Sequence, residues 1–383
     1  MSDGGPPGGS VGSLLGRAAE RVPELRRRLS VVGLLAEREI VTGPSVPLGW
    51  RQRLSLYRHG YTSRSGALFG LVDGEYEDYL SDYRLELLDG LGGAWGEAVT
   101  NKLAMHLLFG SFVERLPDLY GVLVDGELRR NVPFLSSPPA GLDDAAGAVA
   151  QVETYLETHG AVVLKPIYGH GGKGVSVCRA APGREGYYID GELRPPEAFA
   201  ALVTGSDEYL VTEFVEQADH AEALFPGAAN TLRVLTLRDP ETDEPFVSGA
   251  VHRIGTAETA PVDNWSRGGL SAAVRPDGTL SRAARWAERA GETRWHETHP
   301  DTGSRIEGVR VPNWATIRER VLELATAFPH LPRLGWDVVV VDEDGGFVVL
   351  EINRHAGIET LQVHRPLLRD PRVRRFYEHH GYA

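Results

Sequence analysis

The stretch LGWDVVVVDEDGGFVVLEINRHAG, residues 334–357, combines more structural signals than any other segment of the sequence. Two apolar, β-branched runs, residues 338–341 and 347–352, flank the acidic, glycine-containing segment 342–346. This pattern predicts two strands joined by a tight turn, because Asp and Gly tolerate the backbone angles that hairpin turns require. The chain is therefore expected to fold back on itself here as a β-hairpin.

Three oxygen-bearing side chains are expected at one end of this hairpin. Asp337 precedes the first strand, and Glu351 and Asn353 lie two residues apart at the end of the second, so they share a face. Two carboxylates and an amide make a hard-oxygen site that suits Mg²⁺ with phosphate oxygens completing its shell. A solvated hairpin whose acids cap the strand ends is an equally good interpretation of this segment alone.

Composition restricts the class of protein. With 383 residues, 42% of them hydrophobic, the chain is long enough for two or three domains with substantial cores. A formal net charge of -13 argues against a general nucleic-acid or anionic-membrane surface. No apolar run approaches membrane-spanning length, and the start of the sequence lacks a signal-peptide pattern, so we expect a cytoplasmic protein. The single cysteine, Cys178, is expected to be buried packing.

The cations of the chain are distributed unusually. Lys and Arg together number 40, but only Lys102, Lys165 and Lys173 are lysines. Arginine and lysine are not interchangeable, since lysine carries a compact ammonium and arginine a planar fork. The three positions that retain lysine are therefore candidates for a shared task such as phosphate binding.

Two of these lysines flank a glycine-rich loop in AVVLKPIYGHGGKGVSVCRA, residues 161–180. Residues 161–164 and 175–178 read as buried strands, and the loop between them contains four glycines in the six residues 169–174. Glycines allow backbone N–H groups to approach an anion closely. The strand–loop–strand order differs from the strand–loop–helix of a Walker loop. Lys102 begins another helical segment, where a cation opposes the helix dipole and is better explained by phosphate binding.

The remaining pattern predicts an α+β chain. Residues 13–28 and 52–91 read as mainly helical, with Ser63 and Ser81 as candidate N-caps. Short strands alternate with turns up to Val251, a helix is expected after Ser281, and another is expected over residues 314–327.

From Asn101 to Gln362 the order of these motifs resembles the ATP-grasp superfamily, in which two α+β subdomains close on ATP. The resemblance implies ATP and Mg²⁺ as cofactors. It assigns phosphate binding to Lys102 and Lys165, and it places the mobile loop, with a part in phosphoryl transfer, at Gly171, Gly172, Lys173 and Gly174.

The same resemblance assigns the rest of the site. TEFVEQAD, residues 212–219, matches the adenine hinge, with Glu213 and Val215 at the adenine edge and Asp219 at the ribose. It further implies that Arg233 and Arg253 hold the transferring phosphoryl group. The substrate-side asparagine is then Asn264, and the Mg²⁺ ligands are Asp337, Glu351 and Asn353. His355 departs from the family, in which many members carry an apolar residue or proline before the glycine, and we expect it to line the pocket or to be a structural histidine.

Residues 335–357 with the tail 366–382 look like the sugar-transfer-associated, glutamate-ligase-like group. The expected fold is an ATP-grasp fold preceded by a mainly helical region, whereas the usual family has a Rossmann-like domain there. The expected division is a disordered segment 1–10, a helical region 11–95, a linker and start of the nucleotide domain 96–160, a small subdomain 161–220 and a large subdomain 221–383.

The net charge and the lack of a long apolar run predict no nucleic-acid partner and no membrane span. The resemblance implies an ATP-dependent carboxylate–amine ligase acting through an acyl-phosphate, with a small-molecule carboxylate and amine as partners. It also allows a homodimer. Two alternatives stay open. One is a small-molecule kinase with His252 or His355 as general base, and the other is a nucleotide-binding regulatory partner of a glycan assembly complex.

Overall fold

The computed structural model describes residues 11–71, 74–133, 135–169, 171–354 and 356–381. The segment 1–10, predicted to be disordered, lies outside the described residues, as do His170 and His355.

Helices dominate the N-terminal region and recur between the strands. In the described ranges the α-helices are α1 Val11–Thr42, α2 Trp50–Arg58, α3 Ser63–Phe69, α4 Asp82–Leu87, α5 Gly93–Thr100, α6 Lys102–Leu108, α7 Ala148–His159, α8 Pro196–Gly205, α9 Asp219–Leu224, α10 Trp314–Thr326, α11 Glu359–Gln362 and α12 Pro371–His379. Short 3-10 helices span Gly43–Ser45, Tyr76–Asp78, Leu88–Gly90, Gly110–Arg115, Trp265–Arg267 and Leu367–Arg369.

The strands begin after these first helices. They are β1 Leu119–Val124, β2 Glu127–Arg129, β3 Ala161–Pro166, β4 Ser176–Ala180, β5 Tyr187–Ile189, β6 Glu192–Arg194, β7 Tyr209–Glu213, β8 Leu232–Arg238, β9 Pro245–Ile254, β10 Leu270–Val274, β11 Leu280–Ala287, β12 Glu292–His296, β13 Arg333–Val340 and β14 Phe347–Asn353.

The strands of the described chain form two antiparallel sheets. The first sheet has the order β2-β1-β7-β3-β4-β5-β6, and α7 and α8 cover it through Val152, Leu156 and Phe199. The second has the order β12-β11-β10-β9-β8-β13-β14, and α10 packs on it through Ile317 and Val321. The predicted α+β class is confirmed, whereas the predicted subdomain boundaries stay a prediction.

The predicted hairpin is confirmed. Asp337 of β13 pairs with Glu351 of β14, and Gly335 pairs with Asn353. The turn closes with a hydrogen bond from the Val341 N–H to the Gly346 carbonyl at 2.9 Å. Every residue of β13 is buried. The strands β8 and β14 flank its edges, and its alternate residues Leu334, Trp336 and Val338 pack in a hydrophobic core on one face of the sheet.

The helix predicted after Ser281 is wrong. Residues 280–287 form β11, which pairs with β10 through Ala283 and Ala284 and with β12 on its other side. The alanine- and arginine-rich sequence favours a helix locally. The strand conformation becomes favourable only in the folded chain, where β10 and β12 pair with both edges of this segment. Tertiary pairing therefore overrides the local preference.

The region before the first sheet is mainly helical, as predicted. Ser81 caps α4 by accepting from the Arg84 N–H, as predicted. The N-cap of α3 is Thr62, one residue before the predicted Ser63, which is instead the first residue of the helix. Val46 and Leu68 of this region pack in one cluster with two tryptophans of the second half, Trp265 and Trp286. Cys178 is buried, as predicted. None of the described helices is long and apolar enough to cross a membrane.

Candidate functional site

A cavity of about 420 Å³ lies between the two sheets and collects most of the predicted site residues. Its lining includes Lys102, Lys165, Gly171, Gly172, Glu213, Val215, Arg233, Arg253, Asn264, Asp337, Glu351 and Asn353. These residues come from α6, from both sheets and from three loops, and they span about 250 positions of the sequence. The fold thus brings together what the sequence separates.

Two buried lysines define the phosphate-binding candidate. Asn101 caps α6, so Lys102 starts that helix with its Nζ 3.0 Å from the Gly169 carbonyl and 3.5 Å from Glu351 Oε1. Lys165 is the penultimate residue of β3. Burial and the neighbouring Lys102 ammonium lower the pKa of Lys165 to about 8, against the opposing effect of Glu351. Two buried ammonium groups facing one carboxylate leave an excess of positive charge that a phosphate would neutralise.

The glycine-rich loop borders the cavity only in part. Gly171 and Gly172 line it and both have a φ of +67°, a conformation that glycine adopts without strain. A Cβ at Gly172 would lie 2.9 Å from Val262, so the loop passes close to the second half of the chain. Lys173 and Gly174 are exposed and do not line the cavity.

The predicted adenine hinge, residues 212–219, begins in the last two residues of β7 and continues into the loop after it. Glu213 and Val215 line the cavity with Phe214, between apolar side chains that include Val163 and Val177. The Glu213 carboxylate also accepts the Asp118 N–H at 3.0 Å, which fixes the end of the strand. Asp219, predicted at the ribose, is exposed at the first position of α9 and lies outside the lining.

An arginine–carboxylate network crosses the second sheet. Arg233 of β8 binds both oxygens of Asp337 with its fork, and its Nη2 lies 2.8 Å from Oδ2. Arg253 of β9 contributes an Nη1 at 3.2 Å from the same oxygen. Burial would raise the pKa of Asp337, but the two guanidinium groups outweigh burial and hold this pKa below its ordinary value. The carboxylate is therefore ionised.

Asp263 completes this network, although no pattern in the sequence predicts this role. Its Oδ1 lies 2.5 Å from Arg253 Nη2, and its Oδ2 accepts the backbone N–H and hydroxyl of Thr231 at 2.8 and 2.6 Å. The only signal in the sequence was its position beside Asn264. A single acidic residue in a loop has no distinguishing sequence pattern, because its pairing with Arg253 is recognisable only in the folded structure.

Asn264 connects the two halves of the cavity. Its Nδ2 donates to the Gly171 carbonyl at 2.7 Å, and its Oδ1 accepts from Ser266 N and Oγ at 3.1 and 2.9 Å. The loop after β9 and the glycine-rich loop are thus joined by one side chain.

The three predicted metal ligands lie next to each other at the end of the hairpin. The Asn353 amide is 3.3 Å from Asp337 Oδ2, and Glu351 stands opposite Asp337 in the strand pair. Glu351 Oε1 is buried and, among the described residues, has no hydrogen-bond partner. The Lys102 ammonium lies 3.5 Å from this oxygen. Hard oxygen donors of this kind fit Mg²⁺. No described group of three His, Cys, Asp or Glu side chains has metal-binding spacing, so phosphate oxygens would have to complete the shell.

His252, the described candidate base of the kinase alternative, does not face the cavity. It is fully buried and its Nε2 lies 3.2 Å from Nε2 of His220. Burial lowers the pKa of His252 to about 4. The imidazole is therefore neutral and sequestered from any substrate in the cavity.

Two antiparallel sheets that enclose a cavity lined by lysines, a glycine-rich loop and an acidic hairpin define the ATP-grasp class of nucleotide-binding folds. The family model described as sugar-transfer associated ATP-grasp matches residues 95–372, and the chain belongs to this family.

The chain is distantly similar to solved structures. It is 16% identical to D-cycloserine synthetase over 75% of this chain and 72% of that one, with a TM-score of 0.37. For D-alanyl-alanine synthetase A from Vibrio cholerae the identity is 12%, the coverages 73% and 65%, and the TM-score 0.37. For the biotin carboxylase domain of the Hydrogenobacter thermophilus 2-oxoglutarate carboxylase the identity is 13% and the TM-score 0.36.

The match to the biotin carboxylase domain covers 74% of the present chain. The present chain spans less than half, 46%, of that carboxylase chain. A search among curated proteins gave no significant match.

Proposed function

We propose that the chain is an ATP- and Mg²⁺-dependent carboxylate–amine ligase that forms an amide through an acyl-phosphate. The observation that carries the proposal is the convergence of Lys102, Lys165, Arg233 and Arg253 on one cavity bordered by the acidic hairpin. Cations placed along both sheets suit a reaction that moves a phosphoryl group from a bound nucleotide to an acceptor.

The proposed reaction has two steps. An oxygen of the carboxylate substrate attacks the γ-phosphorus of ATP, and the bond from that phosphorus to the bridging oxygen of ADP breaks. The amine nitrogen then attacks the acyl carbon, and the carbon–oxygen bond to phosphate breaks with its electron pair leaving on the phosphate. The extra proton of the amine passes to the departing phosphate or to water.

The protein contributes positioning and charge neutralisation. Lys102 and Lys165 would bind the phosphate oxygens of the nucleotide. Arg233 and Arg253 would give up some of their hydrogen bonds to Asp337 and bind the transferring phosphoryl group instead. Mg²⁺ would be held by the three ligands at the hairpin end, and it supplies neutralisation of the phosphate charges when bound. Because ATP is the cosubstrate, we place the reaction in the cytoplasm.

The kinase alternative has less support. A hydroxyl acceptor benefits from a general base in the cavity, and His252 is buried away from it. His355 lies outside the described residues. A phosphorylated metabolite is therefore an outcome of the test below and not a second proposal.

The test incubates the protein with Mg²⁺-ATP and a cytosolic metabolite extract and follows nucleotides and new masses. The proposal predicts ADP together with a product whose mass equals two metabolites less one water. Glu351→Gln, which keeps the shape of the side chain and removes the charge, should abolish both. AMP as the nucleotide product, a metabolite plus phosphate, or tight ATP binding without turnover would each contradict a ligase.

A further inference from the structure

We propose that the Glu359 carboxylate binds the amino group of the amine substrate. Arg64, from the N-terminal helical region, holds the Glu359 carboxylate in position. The inference rests on the proposed function and deepens it, because it assigns the amine a recognition group. The family match begins at residue 95 and so does not include Arg64.

Glu359 differs from the other acids that line the cavity. Asp337 and Asp263 are bound by arginines of the second sheet, Glu351 lies beside Lys102, and Glu213 accepts a backbone N–H. Each of these acids is therefore engaged within the ATP-grasp part of the chain. Glu359, the first residue of α11, is paired instead with a cation from outside that part.

The ion pair between Arg64 and Glu359 joins residues 295 positions apart. Arg64 Nη1 lies 2.6 Å from Glu359 Oε2, and the Arg64 side chain is only 16% exposed. Its guanidinium also lies over the ring of Trp286 at 5.3 Å, which fixes the plane of the fork. Burial would lower the pKa of Arg64, but Glu359 and Glu288 outweigh it and raise this pKa. Arg64 is thus a permanent cation held in one orientation.

The element that carries Arg64 is itself fixed against the cavity. Leu68 of α3 packs in one cluster with Trp265, whose loop lines the cavity, and with Val363, which follows α11. The N-terminal region therefore contacts the cavity wall at both the Trp265 loop and α11. This arrangement makes α3 part of the site and not an appendage.

The cavity lining around Glu359 favours binding of the amine substrate over binding of the acyl donor. Arg64 occupies Oε2 of Glu359 and leaves Oε1 as a second acceptor oxygen in a side chain that is 30% exposed. Thr360 and Ser266 lie in the same lining. A carboxylate accepts N–H groups and repels a second carboxylate or a phosphate, so it fits the ammonium or amine of the nucleophile and not the acyl donor.

The experiment separates the two half-reactions with hydroxylamine, a small nucleophile that traps an acyl-phosphate as a hydroxamate and needs no recognition by Glu359. Wild type and variants receive Mg²⁺-ATP with the acid fraction of a metabolite extract, plus either hydroxylamine or the amine fraction of the same extract. Glu359→Gln and Arg64→Ala should form hydroxamate within about twofold of wild type. Their amide product should fall about tenfold or more, as expected for loss of a charge-assisted hydrogen bond.

Two further variants distinguish positioning from folding. Arg64→Lys keeps the charge without the planar fork and should restore part of the amide rate. Arg369→Ala removes another ion pair to the N-terminal region, with Asp78 at 2.7 Å, remote from the cavity lining, and should leave both rates unchanged.

Unchanged amide formation in Glu359→Gln would overturn the inference. An equal loss of hydroxamate and amide in this variant would also overturn it, because it would indicate a general structural effect. Neither product from the wild-type protein would instead overturn the proposed function.

Discussion

Lys165 is the residue whose chemistry depends most directly on its surroundings. Its pKa is lowered to about 8 by burial and by Lys102, so it is charged below pH 8 and loses its proton as the pH rises through that value. A cation that binds phosphate is effective only while protonated. The proposed phosphate site should therefore weaken in mildly alkaline solution.

We predict that the affinity for Mg²⁺-ATP falls between about pH 7 and pH 9, and that Lys165→Ala binds about tenfold more weakly at pH 7 and loses most of this dependence. Isothermal titration at each pH provides the measurement. Arg184→Ala, which removes an exposed cation after β4, is the control. An unchanged pH profile in Lys165→Ala would show that another group controls binding.

Asp263 should matter for stability as much as for function. It is 5% exposed and neutralises Arg253, so Asp263→Ala leaves a buried guanidinium without one of its carboxylates. We expect the free energy of unfolding in urea to fall by about 3 kcal/mol. Glu258→Ala, in the same loop but with a 67% exposed side chain paired to Arg285, should lose less than about 1 kcal/mol. Equal losses would contradict the buried network.

Among the elements, the acidic hairpin and the glycine-rich loop were predictable from the sequence, but not for the same reason. The hairpin follows from local turn chemistry and strand composition, which act within residues 338–352. The loop was predictable as a strand connection, whereas Lys173 and Gly174 turned out exposed because loop glycines do not determine which way each residue faces. The strand at 280–287 was unpredictable because its partners β10 and β12 are needed to outweigh local helix preference.

The glycine-rich loop offers a prediction at the scale of the element. Gly172→Ala and Gly183→Ala both place a Cβ on a glycine with positive φ, +67° and +74°, at a similar backbone cost of about 1 kcal/mol. Only at Gly172 would the Cβ also lie 2.9 Å from Val262, whereas nothing lies within 4 Å at Gly183.

We expect Gly172→Ala to weaken Mg²⁺-ATP binding about fivefold or more, and Gly183→Ala to leave it nearly unchanged. Equal affinities in a titration would mean that the loop does not approach the nucleotide as proposed.

At the scale of the whole molecule, the N-terminal region could be predicted as helical but not as part of the site. The interactions that join it to the second half connect residues about 200 to 300 positions apart, such as the ion pair of Arg64 with Glu359 and the shared hydrophobic cluster of Leu68 and Trp265. A single sequence contains no periodicity or spacing that links such pairs. The signal exists only in the folded chain.

Gln362 provides the most specific of these links. Its side-chain amide accepts from the Leu80 N–H at 2.8 Å and donates to the Leu80 carbonyl at 3.0 Å, and it is 1% exposed. Gln362→Ala would leave both backbone groups buried without partners. We predict a loss of about 2–4 kcal/mol in unfolding free energy and faster proteolysis within the N-terminal region.

Gln52→Ala is the matched control, because this side chain accepts the Gly49 N–H three residues away at 2.9 Å, a link within the N-terminal region. Proteolysis of Gln362→Ala no faster than that of this control would show that the hydrogen bonds between Gln362 and Leu80 do not hold the N-terminal region in place.

The central claim is the acyl-phosphate, and an oxygen-isotope experiment tests it most directly. Carboxylic acids of the metabolite extract are exchanged in acidic ¹⁸O-water, returned to neutral ordinary water, and incubated with the protein and Mg²⁺-ATP. If a carboxylate oxygen attacks the γ-phosphorus and leaves with it, the released inorganic phosphate must contain one ¹⁸O atom. Phosphate with only ordinary oxygen alongside an amide product, or label in AMP, would contradict this account.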